Sequence, residues 1–128
     1  MNKKTILIVD DDIPLTQAMK INLEDTGNFE VIVENDSRNA IERATEHRPD
    51  LILLDIVMPG LDGGDVSAQL KSHPMLKDIP VLIVTALVAN NETGEGDAIT
   101  SGGQAMVAKP VQFDKLTHAI ESSLAGAA

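Results

Sequence analysis

Three observations predict an α/β fold for this chain, a doubly wound parallel sheet with helices on both faces. Short, β-branched apolar runs alternate with amphipathic segments from one end of the chain to the other. The runs are apolar at consecutive positions rather than alternate ones, the pattern of strands buried on both faces. Acids or hydroxyls close several of them, and in such sheets ligands bind outside the carboxyl ends of the strands.

The elements follow in order. Thr5 to Asp10 reads as a strand closing in acids. Pro14 to Asp25 carries Leu15, Ala18, Met19 and Leu23 at helical spacing, with Asp12 as N-cap and Pro14 in the first turn. Phe29 to Val33 reads as a strand, and Ser37 to Glu46 as a helix with Ala40, Ile41 and Ala44 inward. Pro49 and Asp50 break the chain before the strand Leu51 to Asp55. Met58 to Gly63 is a Pro/Gly turn, and a short helix through Val66 and Leu70 ends near His73-Pro74. Ile79 to Thr85 is again a buried-strand pattern. Asn90 to Gly103 is expected to hold a fourth helix, weakened at Gly94 and Gly96 by about 1 kcal/mol each relative to alanine. Gln104 to Ala108 is the last strand. Phe113 to Leu124 closes the chain as a helix with Phe113, Leu116, Ile120 and Leu124 on one face. No internal repeat, low-complexity tract or linker interrupts five βα units, so residues 1–128 are expected to form a single domain.

Composition narrows the function. There are 20 acids against 10 lysines and arginines, a net charge of −10, and such a surface repels nucleic acid. Without cysteine there is neither a disulfide nor a thiolate site. Without tryptophan or tyrosine, and with only Phe29 and Phe113, stacking on bases or a flavin is nearly excluded. No apolar run approaches the roughly 20 residues that span a bilayer. A cytoplasmic address is expected. His47, His73 and His118 stand at unrelated spacings and are expected at the surface.

The chemistry lies at the strand ends. The first strand closes in Asp10, Asp11 and Asp12, the third in Asp55 and the fourth in Thr85; Lys109-Pro110 follows the fifth. Neighbouring strands lie about 5 Å apart. With the first, third and fifth units near the switch point, Asp10, Asp11, Asp55 and Lys109 converge. Carboxylates that close repel one another unless a cation sits among them. A hard divalent ion such as Mg²⁺ answers that conflict and could also bind a phosphoryl oxygen. An aspartate beside it can attack phosphorus. Lys109 and the Thr85 hydroxyl would pair with the remaining oxygens. Singly, each residue has a plain explanation: a cap, a turn acid, a strand threonine, a surface lysine. Their conjunction carries the weight.

The blocks Ile6-Leu-Ile-Val-Asp10-Asp11-Asp12, Leu51-Ile-Leu-Leu-Asp55-Ile-Val-Met-Pro-Gly60-Leu-Asp-Gly63, Val84-Thr85-Ala86 and Lys109-Pro110 resemble the signature of response-regulator receivers, the chemotaxis receivers among them. The likeness runs from about Lys4 to Leu124. It implies a flavodoxin-like five-stranded parallel sheet in the order 2-1-3-4-5. It also implies a two-component phosphorelay function in which a partner phosphohistidine passes its phosphoryl group to Asp55, giving a 4-aspartylphosphate. Asp11 is then a direct Mg²⁺ ligand, Asp10 holds the ion largely through water, and the backbone carbonyl of Val57 is the third protein ligand. Thr85 becomes the switch hydroxyl and Lys109 the phosphate-pairing cation, its bond to Pro110 expected cis. Asp12 has no required role. Such a chain is a signalling domain rather than an enzyme acting on other substrates. The partners implied are a sensor histidine kinase or histidine phosphotransfer protein and a downstream effector, with the chain a monomer or weak homodimer.

Two positions depart from the pattern. Met106 stands where the family often has an aromatic residue or histidine, and the segment after Ala86 is less polar than usual. Three other readings compete. In a haloacid dehalogenase-like phosphatase Asp10 would be the nucleophile and Asp12 the general acid, but Pro14 and the lack of a late acidic pair oppose it. A receiver that acts without phosphate would not need all five pocket side chains. A flavodoxin-type carrier would need a first loop rich in Ser, Thr and Gly, and this one is acidic.

Overall fold

A computed structural model describes residues 3–55, 63–85, 99–101, 104–108 and 112–127. Its elements are β1 (Lys4–Val9), α1 (Ile13–Asp25), β2 (Phe29–Glu34), a 3₁₀ turn (Ser37–Asn39), α2 (Ala40–His47), β3 (Leu51–Leu54), α3 (Gly63–Ser72), β4 (Val81–Thr85), β5 (Ile99–Ser101), β6 (Gln104–Ala108) and α4 (Phe113–Ala127). Among the described residues the strands form one sheet in the order β2-β1-β3-β4-β6-β5. The four pairings from β2 to β6 are parallel.

Continuous apolar strands now have their explanation. Ile6, Ile8, Leu51, Leu53, Leu82 and Val84 face one core, closed by Met19 and Leu23 of α1 and Leu116 and Ile120 of α4. Leu7, Val9, Ile52, Leu54 and Ile83 face the other, closed by Ala40 and Ala44 of α2 and Val66 and Leu70 of α3. Successive strand residues point to opposite faces, so both faces must be apolar when both are covered. Each fully buried Leu or Ile contributes about 1.5–3 kcal/mol. A slip of one residue would exchange the two sets, which fixes the register Ile6↔Val31 and Ile6↔Leu51.

Local signals set the ends of α1. Asp12 caps it, accepting a hydrogen bond from Leu15 N at 3.1 Å. At the far end the Thr26 hydroxyl donates to Leu23 O at 2.7 Å, and Gly27 turns the chain at φ +82°. Of the residues expected at helical spacing Ala18 is exposed; Thr16 joins Met19 and Leu23 on the buried face, its hydroxyl donating to Ile13 O at 2.9 Å.

One expectation needs correction. The helix expected over 90–103 falls mostly outside the described residues, but Ile99–Ser101 is a strand, antiparallel to β6 with Ser101 opposite Gln104. The expected five-stranded, all-parallel sheet therefore gains an antiparallel edge. The cause is in the sequence: Ile99 and Thr100 are β-branched, and Gly102-Gly103 separates them from the next strand by two residues, a hairpin signal. The expected fifth strand is β6, beside β4 as anticipated.

Candidate acidic site at the strand ends

The chain order reverses between β1 and β3, which lie side by side with β2 outside β1. Main-chain pairing continues past the last strand residues: Asp10 N donates to Glu34 O at 3.2 Å and Asp55 N donates to Val9 O at 3.0 Å. Asp10 and Asp55 are thereby held on adjacent strands at the carboxyl edge of the sheet. Both are nearly covered, at 2% and 5% exposure, whereas Asp11 is exposed. The Asp10 carboxylate accepts Asp12 N at 3.0 Å, which turns the chain sharply after β1.

The result is a cluster. One carboxylate oxygen from each of Asp10, Asp11 and Asp55 lies within 4.8 Å of the others. For a cation with oxygens at about 2.1 Å, opposite ligands stand about 4.2 Å apart. The clustered oxygens fall within a limit of the same order, 4.8 Å. Three carboxylates, two of them sheltered from solvent, form a hard, all-oxygen donor set that fits Mg²⁺ and does not suit a soft metal. Asp12 is not among the three clustered acids, and one of its carboxylate oxygens caps α1.

Thr85 is the last residue of β4 and is paired in register with Ala108, so its main chain reaches the same carboxyl edge. Val57, Lys109 and Pro110 lie outside the described residues. Met106 is in β6 opposite both Ile83 and Ile99. His47 and His118 are exposed, as expected, whereas His73 is half-buried, its Nδ1 accepting Met75 N at 3.1 Å.

Sequence reasoning missed the layer behind the acids. Asn35, directly after β2, donates to Asp10 O at 2.8 Å and to Thr16 Oγ1 at 3.0 Å. Its signal was its place: an amide at the end of the strand neighbouring Asp10. Glu34, only 9% exposed, accepts Arg43 Nε at 2.9 Å and Asp36 N at 3.0 Å. Asp36 in turn accepts two nitrogens of the Arg38 guanidinium, at 3.0 and 2.8 Å, and these bonds hold its carboxyl below the usual aspartate range. The same kind of contact with Glu34 raises the Arg43 guanidinium.

Comparison with known proteins agrees with this architecture. A family model described as the response regulator receiver domain matches residues 6–121. The polar-differentiation response regulator DivK of Brucella anthropi is 34% identical over 125 residues, covering 97% of this chain and 98% of that protein. The receiver domain of Francisella response regulator 1452 superposes with a TM-score of 0.80 at 26% identity, over 98% of this chain and 100% of the other. Chemotaxis protein CheY4 of Vibrio cholerae gives 0.79 at 26% identity, over 95% and 99%. Among the described residues no helix is long and apolar enough to cross a membrane. By sequence, by sheet topology and by the acids at its strand ends, the chain belongs to the response-regulator receiver family.

Proposed function

We propose that this chain is a single cytoplasmic receiver domain whose Asp55 accepts a phosphoryl group from a partner's phosphohistidine. The observation that carries the reading is the convergence of Asp10, Asp11 and Asp55 within 4.8 Å at the switch point of the sheet. Asp55 Oδ attacks phosphorus in line with the leaving imidazole nitrogen; the P–N bond breaks as the O–P bond forms, giving an aspartyl phosphate. Asp10, Asp11, Asp55 and the main-chain carbonyl of Val57 would hold Mg²⁺, which when bound offsets the charge of carboxylates and phosphoryl oxygens together. Thr85 and Lys109 take the roles the family likeness gives them, a switch hydroxyl and a cation pairing with the phosphoryl group.

The partners of this reading are a sensor histidine kinase or a histidine phosphotransfer protein upstream and an effector protein downstream. The chain catalyses only its own phosphorylation and dephosphorylation. Intact mass spectrometry after incubation with acetyl phosphate tests the reading: one hydroxylamine-labile phosphate should appear with Mg²⁺ and be lost with chelator. Labelling indifferent to chelation would contradict it.

A further inference from the structure

We infer that Asn35 is a positioning residue for the metal site, acting through the peptide that joins Asp10 to Asp11; the inference rests on the reading of the acidic cluster as a Mg²⁺ and phosphoryl site. Both hydrogens of the Asn35 amide are committed, one to Asp10 O at 2.8 Å and one to Thr16 Oγ1 at 3.0 Å. A peptide unit is planar, so fixing the carbonyl of Asp10 also fixes the N–H and the Cα direction of Asp11. That peptide lies just beyond the end of β1. Its orientation decides whether the exposed Asp11 carboxylate faces Asp10 and Asp55 or turns to solvent.

The second bond fixes the Asn35 amide itself, and through it the donor to Asp10 O. Thr16 is fully buried in the first turns of α1, and its hydroxyl donates to Ile13 O at 2.9 Å while accepting from Asn35. One amide thus ties together the end of β1, the start of α1 and the end of β2. Asn35 is itself held between two anchored neighbours, Glu34 by Arg43 and Asp36 by Arg38. Side chains behind a metal site that orient its ligands commonly change affinity by 10-fold or more when removed.

Calorimetric Mg²⁺ titration and the Mg²⁺ dependence of acetyl phosphate labelling separate this role from mere support of the fold. Asn35→Ala should weaken Mg²⁺ about tenfold, with the labelling rate restored at saturating Mg²⁺. A residue that only stabilised the fold would lower the melting temperature and leave the Mg²⁺ half-saturation where it was. Should Asn35→Ala fail to fold, Thr16→Val carries the test: it should weaken Mg²⁺ by roughly threefold, the loss of one hydrogen bond, while Thr16→Ser, which keeps the hydroxyl, matches the parent. Unchanged Mg²⁺ affinity in folded Asn35→Ala, or in Thr16→Val, overturns the inference and leaves the site reading intact. Absence of Mg²⁺ binding by the parent chain overturns both.

Discussion

Lys20 and Glu24, one helical turn apart on α1, form an ion pair at 2.9 Å that closes the open edge of the sheet. Glu24 accepts Val31 N at 3.1 Å and Lys20 donates to Val31 O at 2.9 Å. Among the described residues strand β2 pairs only with β1, and the carbonyls of Asn28 and Glu34 point to that neighbour. Alternation places Val31 with its main-chain groups outward, so the pair occupies the middle of an edge on which another strand could add. Its bonds also tie α1 to β2, immediately before the loop that carries Asn35.

A pH dependence follows. The Lys20 ammonium, and after it the Val31 N–H, hold the Glu24 carboxyl below its ordinary 4.5. A carboxyl depressed in the folded state stabilises above its unfolded value and loses that contribution as pH falls through the folded one. Both side chains are about two-fifths exposed, so solvent screens the pair. Glu24→Gln should therefore cost only about 0.5–1 kcal/mol at pH 7 by urea unfolding. The difference from the parent should shrink progressively below pH 4.5. A difference that persists in strong acid would show that the charge is not its source.

Arg48 closes α2 in the left-handed region at φ 45°, where its N–H reaches Ala44 O at 2.8 Å. Glycine enters this region freely and arginine does not, by about 1–2 kcal/mol. Arg48→Gly should raise stability by about 0.5–1 kcal/mol, part of the gain being lost to the freer unfolded chain. Thermal or urea unfolding measures it; a destabilised variant would mean that the arginine side chain makes an offsetting contribution.

The sheet was legible because its signal is redundant. Leu51-Ile-Leu-Leu, buried at every position, admits few explanations besides a central parallel strand. Asp10 and Asp55 were legible for the same reason, each closing such a run. Asn35 was not, because a polar residue after a strand is the ordinary start of a loop, and its bonds to Asp10 and Thr16 span 25 and 19 residues. Ile99–Ser101 was less legible because three residues are too few to show a strand pattern beside the helix expected over 90–103. Thr16 was not legible as a buried residue because a hydroxyl is usually exposed; here Ile13 O satisfies it within the helix.

Removal of Asp11 tests the donor set. Asp11→Ala should weaken Mg²⁺ by about tenfold or more, since it deletes a carboxylate from a hard cation. The metal-free protein should at the same time become no less stable, because a like charge within 4.8 Å of two sheltered carboxylates is gone. Calorimetric titration and urea unfolding in chelator read the two effects. Unchanged Mg²⁺ affinity would remove Asp11 from the site.

The central claim is that Asp55 is the phosphoryl acceptor, and intact mass spectrometry of the parent chain beside Asp55→Asn tests it most directly. Asparagine keeps the shape of a side chain that is only 5% exposed, so the fold and the neighbouring Asp10 and Asp11 stay in place. It withdraws the nucleophilic carboxylate. With Mg²⁺ and acetyl phosphate, the parent should gain a single phosphate that hydroxylamine removes, and Asp55→Asn should gain none. Full, hydroxylamine-labile labelling of Asp55→Asn would place the nucleophile on another side chain and contradict the account.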